Sequence, residues 1–311
     1  MNDVPAHSSH ILVTGGTGFI GHALCALLLE SGHAVTVLSR QSAPEVRARC
    51  GQGVAVWRDL SEWQPDTRID AVINLAGAPI LDWPWTAARK RTLWQSRVAL
   101  TRHLVARIAA AVHKPAVLLS GSAIGYYGEG GDARLEENAA PGDDFGAQLC
   151  QDWEAAALAA EQHGVRICLL RTGLVLHPSG GLLQRMRLPF KFGLGAQLGD
   201  GQQWMSWIHR NDYLSILLQL LSHPQARGPY NLTAPHPVSN AEFTHTLAEA
   251  VHSSAMLTMP AWLLKALLGE RAPLLLGSQR VLPSQVEAMG YAYLYPHLDQ
   301  ALSCCATRRR A

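Results

Sequence analysis

The sequence predicts a doubly wound α/β fold, a parallel sheet with helices on both faces. Three observations carry that prediction. Short β-branched runs alternate with helical patterns through the first half of the chain, those runs are apolar without period-two alternation, and the first opens into a glycine-rich turn that leads to a helix. Strand and helix in alternation imply parallel neighbours joined by crossovers. Strands with no polar face imply cover on both sides.

The first strand reads His10 to Thr14 (HILVT), followed by Gly15, Gly16, Gly18 and Gly21 and then by the helical HALCALLLESG, which stops at Gly32. Further strands read at 34–39 (AVTVLS), 54–57 (VAVW), 71–76 (AVINLA), 116–120 (AVLLS) and 166–171 (RICLLR). Between them the helical stretches at 85–112, expected as one long helix, and 146–163 stand out. After Arg171 the texture becomes Gly-rich, until a helix near 212–222, a strand within 229–234 (PYNLTA) and a helical tail to about residue 302. The expected division is a sheet domain of residues 1–172 with 229–234, and a smaller lobe of 173–228 with 235–311.

With 311 residues, 48% hydrophobic and 16% charged, the chain has ample material for a core and too little charge for disorder. The formal charge is only +2, and much of the basic excess sits in the final TRRRA, which reads as a solvated tail and not a nucleic-acid footprint. No apolar stretch reaches the roughly 20 residues that span a bilayer, so no membrane partner is expected. The opening MNDVPAHSSH lacks the basic start and apolar run of a secretory signal, which predicts a cytoplasmic protein. Cys25, Cys50, Cys150, Cys168, Cys304 and Cys305 form no CxxC or metal-like spacing, so thiols and no metal site are expected.

Gly15, Gly18 and Gly21 give GxxGxxG at a strand-to-helix junction, where backbone approaches a pyrophosphate and the unpaired N–H groups of the helix N-terminus favour an anion. The candidate contacts of a dinucleotide there are Thr14, Gly15, Thr17, Gly18, Phe19, Ile20 and Gly21. About 20 residues on, an acid would accept from the adenosine ribose. The chain instead has Ser39 and Arg40, with no acid until Glu45. A guanidinium pairs with a 2′-phosphate that a carboxylate would repel, so NADP is the expected cofactor, against a reading in which Arg40 merely caps the sheet edge in solvent. Asp59 and Leu60 after the third strand, and Asn74, Ala76 and Gly77 after the fourth, stand where the remaining loops of such a sheet meet the cofactor.

Taken together, TGGTGFIG, AVINLAGAPI, SGSAIGYYG, DDFGAQLCQDWE, LRTGLVL, GDGQQWMSWIHRND and the tail from Pro260 resemble the extended, NAD-dependent epimerase/dehydratase-like branch of the short-chain dehydrogenase/reductase superfamily. More narrowly they resemble its atypical YfcH-type epimerase family proteins. The resemblance implies a Rossmann fold, an NADP-type cofactor, and a Ser with a Tyr-x-x-x-Lys as the chemical machinery. Ser122 matches the Ser. The Tyr-x-x-x-Lys falls on FGAQL, with Phe145 at the Tyr and Leu149 at the Lys, and neither moves a proton.

Tyr126 and Tyr127 are the nearby phenols, either walls of the nicotinamide pocket or, with Ser122, the proton donor that replaces the missing pair. Asp143 and Asp144 precede the next helix as caps or contacts. In WMSWIHRND, Trp204, Trp207 and His209 are the candidate substrate-cleft residues, His209 either titrating in the cleft or bonded to backbone, and Asn211 or Asp212 is the expected N-cap of the helix that follows. Arg187 and Lys191 either meet an anionic substrate or lie at the surface. The functional expectation is an NADP-dependent oxidoreductase or epimerase acting on a small polar substrate. The alternative is a nucleotide-binding sensor or partner protein that has lost the catalytic pair.

Overall fold

The computed structural model describes residues 8–255 and 257–307, so the first seven residues and most of the basic tail, on which two of the expectations above rest, lie outside the described residues. Seven strands form one parallel sheet: β1 His10–Thr14, β2 Ala34–Leu38, β3 Ala55–Trp57, β4 Ala71–Asn74, β5 Val117–Ala123, β6 Arg166–Thr172 and β7 Gly228–Leu232. Their order is β7-β6-β5-β4-β1-β2-β3, every pairing parallel. The order reverses between β1 and β4, which opens a crevice at their carboxyl ends, the place where ligands bind in open α/β sheets.

Alternate residues of β1 explain the two layers. Ile11 and Val13 pack with Leu24 and Leu28 of the helix Gly21–Glu30, with Val46, and with Leu217 and Leu220, while Leu12 faces Leu104 and Ile108 on the opposite side. Ile11 to Thr14 of β1 are all buried, which is why its sequence does not alternate.

The stretch expected as one helix runs without a break from Ala87 to Ala110, capped by the Thr86 hydroxyl, but its middle turn Gln95–Ala99 is π-helical. That wider turn lies where Arg97 Nη2 donates to the Ala78 carbonyl (3.0 Å) and where the Thr101 hydroxyl donates to the Arg97 carbonyl (2.7 Å).

The smaller lobe has its own core of Leu176, Leu183, Phe190, Trp207, Phe243, Leu247 and Leu302. Its regular pairings are two or three residues long and join distant segments, as where Leu257–Met259 lies beside Ala196–Leu198. The helix Arg210–Ser222, expected in this lobe, packs Tyr213, Ile216 and Leu217 on the main sheet instead. Its N-cap is His209, whose Nδ1 accepts from the Asn211 amide, and not Asn211 or Asp212. Asp212 is fully buried and accepts from the Tyr291 hydroxyl and the Leu294 and Tyr295 amides, which fastens the C-terminal segment to the sheet layer. Among the described residues no helix is long and apolar enough to cross a membrane.

Candidate functional site

The loop after β1 is built to be filled. Gly15 has φ of +70°, and a Cβ there would stand 2.6 Å from the Leu75 carbonyl carbon; one at Gly21 would stand 2.2 Å from the Gly15 carbonyl oxygen. Only glycines permit a turn this tight against the β4 loop. The helix Gly21–Glu30 starts with no side-chain cap and no acid in its first turn; the Gly18 and His22 amides bond to the Gly15 and Gly18 carbonyls, and the positive end of the helix dipole faces the loop without a carboxylate of its own helix. The backbone cradle and the uncapped helix terminus fit a dinucleotide diphosphate.

At the end of β2 the neighbouring acids are occupied. Glu45 accepts from the Ser42 amide (2.9 Å) and hydroxyl (2.7 Å), and the Ser42 bonds hold its carboxyl below the usual range. Asp59, expected from sequence to meet the cofactor, accepts from the Ser61 amide as the cap of its own helical turn. Arg40 is exposed beside them. The sequence reading missed Arg58, whose Nη2 donates to the Arg40 carbonyl at 3.2 Å, which places a second guanidinium at the same corner. Its signal was available: it is the last residue before Asp59, and β3 lies next to β2. Leu60 is buried in the core with Leu12 and Trp63.

Asn74 does not reach outward. It is fully buried, accepts from the Thr14 hydroxyl (2.7 Å) and donates to Thr101 Oγ1 (2.8 Å), while the Ala76 amide donates to Thr14 Oγ1 (3.2 Å). Thr14 and Asn74 thereby fix the loop at Ala76 and Gly77, and the surface they present is backbone.

The end of β5 and β6 differs in kind. The Ser122 hydroxyl donates to Glu154 Oε1 at 2.6 Å, and Glu154 is held by Arg171 in a two-pronged ion pair, both bonds 2.9 Å. Arg171 Nη1 also donates to the Tyr127 hydroxyl (3.0 Å) and the Glu137 carbonyl (2.9 Å), and Tyr127 in turn donates to Asn231 Oδ1 (2.6 Å). The Arg171 guanidinium lies 3.5 Å from the centroid of the Tyr126 ring. Ser122, Tyr127, Glu154, Arg171 and Asn231 are each no more than 5% exposed. Burial pushes the Tyr127 phenol up to about 12. Tyr127 thus ties the turn after β5 to β7, which corrects the proton-donor alternative of its two expected roles, and Tyr126 is the partly exposed phenol.

The positions of the missing Tyr and Lys are absorbed into packing. Phe145 meets Trp85 edge-on at 4.9 Å with Lys90 Nζ 4.9 Å from its ring centroid, and Leu149 is buried among Leu93, Val98 and Trp153. Asp144 caps that helix through the Ala147 amide.

Of the three residues expected in the cleft, two are interior. Trp207 is fully buried with its indole N–H on the His236 carbonyl, and His209 is buried against Tyr295 at 4.1 Å with its Nδ1 accepting from the Asn211 amide. The WMSW spacing reads equally as lining or core, and the lobe core takes Trp207. Trp204 is partly exposed, bonded to Asp132 and covered by Arg280. Arg187 and Lys191 line a separate groove with Glu249 and Asp299 between helices of the smaller lobe. Phe19 of the glycine loop packs on Gly180 and Gly181 and, with Arg210 5.5 Å from its centroid, seals that lobe against the cradle.

The model of the NAD dependent epimerase/dehydratase family matches residues 11–233, and the Domain of unknown function (DUF1731) matches 259–304. An epimerase family protein of Mycobacterium bovis is 41% identical over 96% of this chain and 98% of its own length. A chloroplastic SDR39U1 homologue of Arabidopsis thaliana is 37% identical over 94% of this chain and 85% of its own. The crystal structure of human epimerase family protein SDR39U1 with NADPH superposes with a TM-score of 0.87 at 35% identity, covering 96% of this chain and 99% of that one.

Proposed function

The chain belongs to the NAD dependent epimerase/dehydratase family, and from that premise we propose that it is an NADP(H)-dependent oxidoreductase or epimerase acting on a small polar substrate in the crevice between the sheet and the smaller lobe. The observation that carries this reading is the pairing of a glycine cradle and uncapped helix start at Gly15–Gly21 with two guanidiniums, Arg40 and Arg58, whose neighbouring carboxylates are tied up in caps. The NADPH in the human relative's structure supports it.

The backbone of Gly15 to Gly21 holds the diphosphate, Arg40 with Arg58 holds a 2′-phosphate, and the backbone at Ala76 and Gly77 lies against the cofactor. When bound, the nicotinamide supplies hydride chemistry. Ser122, its own proton committed to Glu154, can accept a hydrogen bond from a ligand but not give one. Tyr127 is spent on Asn231. That leaves Tyr126 as the proton donor at this end of the sheet.

The test is to incubate the purified protein with a fractionated metabolite extract and NADPH, and in parallel with NADP+, the oxidised form that an epimerisation needs as its first hydride acceptor, following absorbance of the reduced cofactor and product masses together. Oxidation of NADPH with a matching reduced product, or interconversion of isomers without net oxidation, supports the reading. Bound NADPH with neither outcome contradicts catalysis.

A further inference from the structure

We infer that Arg97 and Arg89, on the helical run that follows the β4 loop, form a receptor for an oxyanion, a phosphate or carboxylate, at the carboxyl edge of the sheet. The inference rests on the reading of the crevice as a cofactor-dependent site and adds the chemical class of a ligand group to it.

Two guanidiniums grip consecutive carbonyls of one loop. Arg97 Nη2 donates to Ala78, and Arg89 Nη2 donates to Pro79. Arg97 lies so flat against the backbone that a Cβ at Gly77 would stand 2.9 Å from its Cζ. Neither has a carboxylate within ion-pair distance among the described residues, although Lys90, beside Arg89 in sequence, is paired with Glu270 at 2.5 Å. Among the described residues Arg89 Nε is buried with no hydrogen-bond partner, and Arg97 has, besides its bond to Ala78, long contacts of 3.5 Å to Leu93 and Ser96 and the face of Trp153, whose ring centroid lies 5.4 Å from its Cζ.

Burial holds Arg97 below the ordinary guanidinium range, and Arg89 acts in the same direction as a neighbouring like charge. Two adjacent cations with poorly satisfied donors and no counter-charge are costly to keep partly out of water. A bound anion removes that cost. The geometry suits one, because guanidinium N–H groups bind oxyanions as planar forks and Ala76, Gly77 and Ala78 place no bulk beside them. The anion has two available sources, the diphosphate of the dinucleotide or an acid group on the substrate.

The experiment uses the full chain. Inorganic phosphate is titrated calorimetrically, at fixed ionic strength, into the ligand-free and the NADP+-saturated protein, and NADPH and NADH into the ligand-free protein, for wild type, Arg97→Gln and Arg89→Gln. Phosphate binding to the saturated wild type that weakens about tenfold or more in both variants, with NADPH affinity kept, supports the receptor and assigns it to the substrate. Loss of NADPH and NADH affinity alike in both variants supports it and assigns it to the diphosphate. Phosphate and dinucleotide affinities unmoved by either variant overturn it. Arg97→Lys keeps the charge and guards against misfolding at the more buried site, and the Arg89 variant decides if Arg97→Gln does not fold. A wild type that binds phosphate through Arg97 but takes no dinucleotide would sink the cofactor reading and leave this one standing.

Discussion

Where β1 and β2 end, the helix Gly21–Glu30 begins without a side-chain cap, and Arg40 stands exposed beside carboxylates already occupied by Ser42 and Ser61. Where β5 and β6 end, on the same edge of the same sheet, Ser122, Tyr127, Glu154, Arg171 and Asn231 satisfy one another in a buried chain. The first region presents an uncapped helix start and an exposed guanidinium, and the second has spent its side-chain hydrogen bonds on the fold. A polar residue at the carboxyl edge of such a sheet is therefore a ligand residue only when its hydrogen bonds remain to be made, and that property is not written in residue type or position.

The largest way to break this contrast is Arg171→Leu, which strands Glu154 as an unpaired buried carboxylate and is expected to cost about 3–5 kcal/mol in denaturant unfolding. If the variant unfolds like wild type, the β5–β6 end is not the structural hub described here. Tyr127→Phe comes next. It leaves Asn231 Oδ1 and an Arg171 donor unpartnered and should cost about 1–2 kcal/mol, with NADPH affinity kept. Tyr126→Phe retains the ring under Arg171 and should leave stability within about 0.5 kcal/mol.

A smaller effect separates the charge of the hub from its hydrogen bonds. Glu137 is buried, and Oε1 accepts from the Asn231 and Gln285 amides while Oε2 has no hydrogen-bond partner among the described residues. Burial raises its pKa above the ordinary carboxylate value. A folded pKa above the unfolded one means the fold binds the proton more tightly, so the stability it contributes is full below the unfolded pKa and is lost as pH rises through the folded one. Glu137→Gln keeps an acceptor without the charge, so its melting temperature should exceed that of wild type by about 2 °C at neutral pH, the difference closing in acid. A constant difference at all pH values would show that ionisation is not the cause. Smallest is Arg58→Gln, an exposed group expected to weaken NADPH about threefold and to spare NADH; equal loss of both would move Arg58 away from the 2′-phosphate.

The sheet was legible in the sequence because strands buried on both faces must be apolar throughout. β1 begins and ends where HILVT does, and β2 to β4 fall within the runs read for them. The glycine loop was legible because steric demands at Gly15 and Gly21 admit one residue type. The smaller lobe was not, since pairings of two or three residues between distant segments leave no periodicity. Nor was the fate of Tyr127, Trp207 or His209, because whether a polar or aromatic side chain points into a core or a cleft depends on partners such as Asn231 and His236, far away in the chain. The π-helical turn at Gln95–Ala99 likewise follows from what Arg97 and Thr101 bond to, and not from local propensity.

The central claim, that the β1–β2 end is an open site shaped for a 2′-phosphorylated dinucleotide, is tested most directly by calorimetric titration of NADPH and NADH into wild type and Arg40→Asp. The account predicts that wild type binds NADPH more tightly than NADH by about tenfold or more, and that the substitution removes this preference while leaving NADH affinity in place. NADH binding as tight as NADPH in wild type, or a loss of both ligands alike in the variant, would contradict it.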